Sequence, residues 1–355
     1  MSVAYRTVQW NPFKRRYDVV VAVGALMYIS IFIAATYLPR ADDARPALPV
    51  VLIRATATLA FVLLHVILLI GPLARIDRRF LPLLYNRRHL GVMTFLIALA
   101  HGLLVLGYYH GFGAISAVTS LLSSNTQYRS ISAFPFETLG LIALLILFLM
   151  AATSHDFWLK TLSPGAWKFL HMGVYVAYVL LVLHVALGAL MSERSAAYTG
   201  LVGSGALLVT TLHLVSGWRE CRIDRHASEA EHGWVDVPSP ESIGDGRARR
   251  VVLPDGSRVA VFRQGECLHA ISDVCAHQNG PLSEGRIVDG CVTCPWHGYQ
   301  YRASDGCAPP PFTERLPTYV LRRHEGCVQL RVMAQADGTP TALPLIEIEE
   351  SAHVR

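Results

Sequence analysis

The sequence predicts a membrane-embedded, all-α bundle of six helices followed by a small, all-β C-terminal domain. Three observations predict it. The 355 residues are 52% hydrophobic and only 16% charged, with a mean hydropathy of +0.38, too apolar for an ordinary soluble chain. The apolarity is uneven: residues 18–218 carry most of it, while 219–355 read as soluble. The soluble part also holds a dense run of cysteine and histidine, "CAHQNGPLSEGRIVDGCVTCPWHG" at 275–298, outside any apolar stretch.

Six apolar stretches fill the first part, at about 18–38, 51–71, 90–109, 136–153, 167–190 and 199–217. Each approaches the roughly 20 residues that a helix needs to cross a bilayer. Lys14, Arg15 and Arg16 precede the first stretch, but no A-x-A-like site closes it, so it reads as a retained helix rather than a cleaved signal. The expected organisation is an N-terminal segment 1–17, a membrane domain 18–218, a linker 219–231, a β domain 232–333 and a tail 334–355. The tail is short and polar and is expected to be disordered.

Lys and Arg in the connections set the orientation. Fourteen fall on the side that holds both termini, among them Arg75, Arg78, Arg79, Arg87 and Arg88; only Arg40, Arg45, Arg129 and Arg194 fall on the other. This predicts a multi-pass protein of a bacterial inner membrane with its β domain in the cytoplasm. The bias also explains the net charge of +5 without a nucleic-acid partner. None of the seven cysteines lies in the six stretches or in a far-side loop. In a reducing compartment, metal ligation is the expected use for them.

In the β domain, "RRVVLPDGSRVAVFRQGECLHAISD" reads as two or three strands turning at Asp255-Gly256 and around Gln264-Gly265, and "TYVLRRHEGCVQLRVM" as a hairpin around Glu325-Gly326. The Gly-rich segment between them reads as loop. Within it, Cys275-x-His277 is followed by Cys294-x2-His297. Two Cys/His pairs on two loops suit tetrahedral zinc. They equally suit a [2Fe–2S] cluster with both thiolates on one iron and both imidazoles on the other. Gly280 and Gly298 allow tight turns, and Pro295 stiffens the second loop.

This segment resembles the Rieske family, with its C-x-H and C-P-x-H-G pattern. The resemblance runs over roughly 232–333 and takes in Glu284-Gly285, "GCVTCPWHG" at 290–298 and Pro309-Pro310-Pro311. It implies Cys275 and Cys294 on one iron and His277 and His297 on the other, with Cys291 at no ligand position. Rieske proteins of quinol-oxidising complexes carry an extra disulfide between the loops; here those positions are Gly280 and Trp296. The domain is more similar to Rieske ferredoxins and oxygenase Rieske domains, which implies a lower potential.

Ionisable groups inside a bilayer are costly and need an account. His65, His101, His171, His184 and His213 fall inside apolar stretches, and His89 and His110 at helix ends. His171 and His184 are about 20 Å apart along a helix, too far to share one iron. His101 and His184 lie at similar depth and form the best axial pair. These helices resemble the ferric-reductase-like transmembrane family and are similar to the heme-binding membrane subunits of the bacterial methionine sulfoxide reductase system. "GPLAR" at 71–75, "RRHLGVMTFLIALAH" at 87–101, "AATS" at 151–154 and "WKFLHMGVYVAYVLLVLH" at 167–184 carry the likeness. It implies heme b, two per chain, with His101, His184 and His171 as ligands. The partner of His171 stays open among His89, His65 and His213, each equally readable as a helix-bonded or solvated histidine; His110 reads as the latter kind.

The expected function is therefore an oxidoreductase that moves electrons from a cytoplasmic reductase or ferredoxin-like donor, through the cluster and hemes, to an acceptor protein or small acceptor on the far side. A redox sensor or assembly factor without net flux, and reverse flow from a quinol, are the alternatives. The longest far-side loop, about 110–135, is Ser-rich and reads either as a connector or as a docking site for a periplasmic partner.

Overall fold

The computed structural model describes residues 12–131, 134–154, 158, 162, 164–225, 230–276, 279–295, 298–310 and 312–345. The chain divides into two compact units, Trp10–Ser216 and a second built on Gly217–Arg355.

The first unit is helical. In order, it contains α1 (Pro12–Tyr37), α2 (Leu48–Ile76), α3 (Leu81–Val105), α4 (Ala117–Ser123), α5 (Phe136–Ala152), α6 (Pro164–Leu187), α7 (Ala189–Glu193) and α8 (Ala196–Arg225), the last running on past Ser216. Five segments are long and apolar enough to cross a membrane, and α5 is a shorter apolar helix. They coincide with the six expected stretches; α4 and α7 are additional short helices. Proline opens both α2 and α3, where its missing N–H costs nothing. Beyond Val105, α3 continues as a π-helical turn over Leu106–His110.

Two apolar clusters hold the helices together. Phe95, Ala143, Leu147 and Ala177 join α3, α5 and α6. Leu64, Leu68, Val174, Tyr178 and Val209 join α2, α6 and α8. Helix α6 takes part in both, so it is the shared element. By contrast, α1 exposes Val19, Val20, Val23 and Leu26, as a helix facing hydrocarbon can.

The second unit is all-β. Its strands are β1 (Trp234–Asp236), β2 (Ala248–Val252), β3 (Arg258–Gln264), β4 (Cys267–Ser272), β5 (Arg286–Val288), β6 (Cys291–Thr293), β7 (Gln300–Arg302), β8 (Leu321–His324), β9 (Cys327–Arg331) and β10 (Leu343–Pro344). They form three antiparallel sheets in the orders β10-β4-β3-β2, β1-β9-β8 and β5-β6-β7. The expected turns are present. Gly256, Gly265, Glu325 and Gly326 have positive φ, which two-residue hairpin turns require.

Three features differ from the sequence reading. The segment read as loop contains β5 and β6, whose hairpin turns at Asp289 (φ 50°) and Gly290 (φ 77°); strands of three residues are too short to show a period. Residues 334–345 are folded rather than loose. Leu343–Pro344 pairs with β4, Thr318 Oγ1 donates to the Thr339 carbonyl at 2.8 Å, and Thr341 is buried. Polar composition alone missed backbone pairing. Helix α8 also extends to Arg225, into the expected linker, because its Arg and Glu are good helix formers.

Candidate functional site

The two cysteine loops of the β unit are built to one plan. Cys275 N–H donates to the Gly280 carbonyl at 2.9 Å, and Asn279 N–H returns to the Cys275 carbonyl at 2.7 Å. Cys294 N–H donates to the Tyr299 carbonyl at 2.8 Å, and Gly298 N–H returns to the Cys294 carbonyl at 2.9 Å. Each loop closes with a left-handed residue four positions after its cysteine, Asn279 (φ 57°) or Gly298 (φ 71°). Gly298 was expected at such a turn. In the first loop Asn279, not Gly280, takes this role, and Asn is among the residues that tolerate it. Both cysteines are almost fully buried, at 1% and 2% exposure, within one apolar core. The remaining expected ligands, His277 and His297, lie outside the described residues, as does Trp296.

The walls of this site come from elsewhere in the fold. Tyr301 Oη stands 3.5 Å from Cys275 Sγ. A thiolate can only accept, so the tyrosine is the donor when the cysteine is a metal ligand. Burial, reinforced by Cys275, holds the phenol well above its ordinary range, so it remains a donor at any working pH. The first loop is clamped from behind: Arg250 Nε donates to Asp273 Oδ2 at 2.9 Å, and its Nη2 to Glu284 Oε1 at 3.1 Å. Burial pushes Asp273 up, and Arg250 and Ser283 oppose it. Gly285 meets the Thr293 carbonyl so closely that a Cβ would collide with it. The Glu284-Gly285 pair thus braces one loop against the strand feeding the other. The proline run leads to Phe312, whose ring packs edge-on to Tyr299 at 5.1 Å. Cys291 is half-buried in β6, and burial raises its thiol, which disfavours the thiolate that a ligand needs. No group of three or more potential ligand side chains gathers among the described residues.

The helical unit sorts its histidines by hydrogen bonding. His101 Nδ1 is 3.1 Å from the Ile53 carbonyl on α2, and His184 Nδ1 is 2.8 Å from the Phe136 carbonyl on α5. A carbonyl only accepts, so Nδ1 carries the proton and Nε2 keeps its lone pair. Among the described residues, neither Nε2 has a hydrogen-bond partner. Gly140 lets the His184 ring approach; a Cβ there would stand 2.8 Å from ring atoms. An Nδ1–H anchored on a carbonyl with a free Nε2 is the usual arrangement of a metal-binding imidazole.

The other histidines differ. His65 donates through Nδ1 to its own helix at Phe61 (2.7 Å) and accepts from Tyr178 Oη at Nε2 (3.0 Å). His213 does the same with Val209 (2.8 Å) and Tyr175 (3.1 Å). His171 stacks on Trp167 with ring centroids 3.7 Å apart, and its Nε2 lies 3.3 Å from Thr153 Oγ1. Near it, Arg88 donates to the Ser154 carbonyl. His89 faces α1, with Nδ1 3.0 Å from Asp18 Oδ1. His110 is buried against Ser120 and Glu137.

The fold and the matches to known families together define the class, an electron-transfer oxidoreductase with helices long and apolar enough to cross a membrane. Residues 233–320 match the Rieske [2Fe-2S] domain and residues 56–182 the ferric reductase like transmembrane component. The anthranilate 1,2-dioxygenase ferredoxin subunit of Burkholderia cepacia is 42% identical over 77 residues, covering 21% of this chain and 69% of that protein. The chain belongs to the Rieske [2Fe–2S] family, joined here to a ferric-reductase-like transmembrane component. Cholesterol 7-desaturase of Ciona intestinalis is 27% identical over 125 residues, covering 34% of this chain; the chain spans about a quarter of that protein's length (26%). Among solved structures, a complex of oxygenase and ferredoxin in carbazole 1,9a-dioxygenase is 27% identical, covering 30% of this chain and 98% of the matched chain, with a TM-score of 0.28.

Proposed function

We infer that this chain carries electrons across the membrane, from a cytoplasmic protein donor to an acceptor at the arginine-poor face. Cys275, His277, Cys294 and His297 hold the [2Fe–2S] cluster, and His101 and His184 hold a b-type heme. Both groups supply one-electron chemistry when bound. The protein's part is to fix, orient and tune. Tyr301 stabilises negative charge on Cys275 sulfur, the Arg250–Asp273–Glu284 clamp holds the first loop, and the Ile53 and Phe136 carbonyls set the tautomers of His101 and His184. The observation that carries the reading is this pair of imidazoles with anchored Nδ1 and free Nε2, in the same chain as a Rieske domain. Their interaction partners lie on different helices, so the pair is a product of packing rather than of one helix alone.

Two features support this direction of flow: the arginine-rich connections, which favour a cytoplasmic β domain, and the match to a ferredoxin subunit, which fits a protein donor. His171, between Trp167, Thr153 and the arginines at 87 and 88, lacks the signature of the His101–His184 pair, so one heme per chain is the stoichiometry this geometry favours.

The test is a redox titration of the purified full-length protein by visible and electron paramagnetic resonance spectroscopy. A reduced b-type α band and a rhombic Rieske signal are expected, with the heme band lost in His101→Ala and His184→Ala. Retention of full heme in both variants, or zinc in place of iron in the β domain, would overturn it.

A further inference from the structure

The far-side segment between α3 and α5 has a physical character that its serine content conceals. Gly111–Tyr128 contains no Asp, Glu, Lys or Arg. Its helix, α4, is pinned at two points on one side: Ser120 Oγ lies 3.0 Å from His110 Nδ1, and Ser124 Oγ donates to Glu137 at the start of α5. Placing Ser120 at the origin of a helical wheel sorts the other residues into three sectors at about 100° per residue. Ser124, Ala117 and Leu121 share the pinned side, and Leu121 is indeed buried. Val118 and Leu122 fall together on the far side, 54% and 48% exposed. Ser116, Thr119 and Ser123 form the third sector and satisfy one another and the backbone: Thr119 N–H donates to Ser116 Oγ, and Ser123 Oγ to the Thr119 carbonyl.

The apolar sector does not stand alone. Phe112 is 91% exposed, Ile115 52% and Tyr109 58%. On the membrane-crossing part of α3, Leu103 is 60% exposed, so the apolar surface continues from the span onto the segment. The segment leaves one apolar helix and enters another, so its ends are fixed at the boundary of the hydrocarbon. A short helix with one apolar sector, one uncharged polar sector and flanking tyrosines suits that boundary.

We propose that residues 109–122 form an in-plane membrane cap, with Phe112, Ile115, Val118 and Leu122 dipping into the lipid at the arginine-poor face. The occupant of this exposed apolar surface is the acyl–headgroup boundary of that leaflet, not a soluble partner protein. The His110–Ser120 and Glu137–Ser124 contacts hold the side of α4 that carries Ser120, Ser124 and buried Leu121 against the helices, and leave Val118 and Leu122 on the opposite side. Nothing in this inference depends on the heme assignment.

Spin labels attached to Phe112→Cys, Val118→Cys and Leu122→Cys test it in the full chain reconstituted into phospholipid vesicles. The signal of the parent chain, with its seven native cysteines, serves as background. Collisions with lipid-soluble oxygen over those with a water-soluble nickel chelate are expected to match Leu26→Cys on α1, and to exceed those at Glu241→Cys on the β domain several-fold. Ratios equal to Glu241→Cys at all three sites would overturn the proposal and leave a water-exposed surface fit for a protein. Hydroxyl-radical footprinting of the unaltered chain probes the same surface without substitution. Phe112 is expected to be protected in vesicles, and modification as fast, scaled to intrinsic side-chain reactivity, as at the exposed Met333 of the β domain would overturn the cap.

Discussion

Four imidazoles sit within the apolar helices on two different plans. In one region, His101 and His184 reach through Nδ1 to carbonyls of neighbouring helices and keep Nε2 uncommitted. In the other, His65 and His213 bond through Nδ1 to carbonyls of their own helix four residues back and close Nε2 with a tyrosine from α6. The residue type and setting are the same. The difference lies in which helix supplies the carbonyl. In His65 and His213, a tyrosine hydroxyl from α6 satisfies the outer nitrogen. In His101 and His184, the outer nitrogen has no hydrogen-bond partner among the described residues. The first plan satisfies both ring nitrogens; the second leaves one of them open.

Substitution at all four positions puts this contrast at greatest risk. His101→Ala and His184→Ala are expected to abolish heme binding, as measured by pyridine hemochromogen per chain, while His65→Leu and His213→Leu retain it. Heme lost equally from all four would erase the distinction. Next in size is Gly140→Ala. Its Cβ would press on the His184 ring at 2.8 Å, and heme content or the heme resonance signal should change while the Rieske signal stays intact. An unchanged heme spectrum would mean that the ring has room to move.

A smaller effect is expected in the β domain. Tyr301→Phe removes one hydrogen bond to Cys275 sulfur, an interaction worth about 1 kcal/mol. That bond favours the reduced, more negative cluster, so the potential should fall by about 40 mV for a one-electron couple; a rise or no shift would contradict the assignment. His65→Leu should cost about 1–3 kcal/mol of stability by leaving the Tyr178 hydroxyl unpaired in the core, and the double change with Tyr178→Phe should recover part of it.

The smallest effect concerns pH. Asp305 is partly buried, which alone would raise it, but Arg302 and the Cys307 N–H outweigh burial and hold it below the ordinary carboxylate range. Its contribution to stability is therefore present above about pH 4, the ordinary carboxylate value, and lost as pH falls through the depressed one. Asp305→Asn should lower the temperature at which the cluster bleaches at pH 7, with the gap to the parent closing in acid. A gap independent of pH would show that the charge is not the cause.

Much of this was readable in the residues. Apolar runs of membrane length fixed six helices because a bilayer imposes a length on any chain that crosses it. The Cys/His spacing, the Gly turns and the Glu284-Gly285 pair carried the Rieske resemblance because a left-handed turn at Gly298 and the close approach of Gly285 to the Thr293 carbonyl each admit few residue types. Histidine depth singled out His101 and His184 as the best pair but could not say what holds each ring, since the choice of carbonyl partner is a property of helix packing. The left-handed Asn279, the three-residue strands β5 to β7 and the folded segment 334–345 were equally illegible: none has a period or composition of its own.

The order of residues alone, then, specified spanning helices, a soluble β domain and a place for an iron–sulfur cluster, because these follow from local length, spacing and turn chemistry. It took the folded chain to show that Tyr301 reaches Cys275, that Arg250 ties Asp273 to Glu284, and that His101 and His184 are held by foreign carbonyls while His65 and His213 are held by their own. Most of those contacts join residues far apart in sequence, and hydrogen bonds between distant segments exist only once packing has brought the segments together.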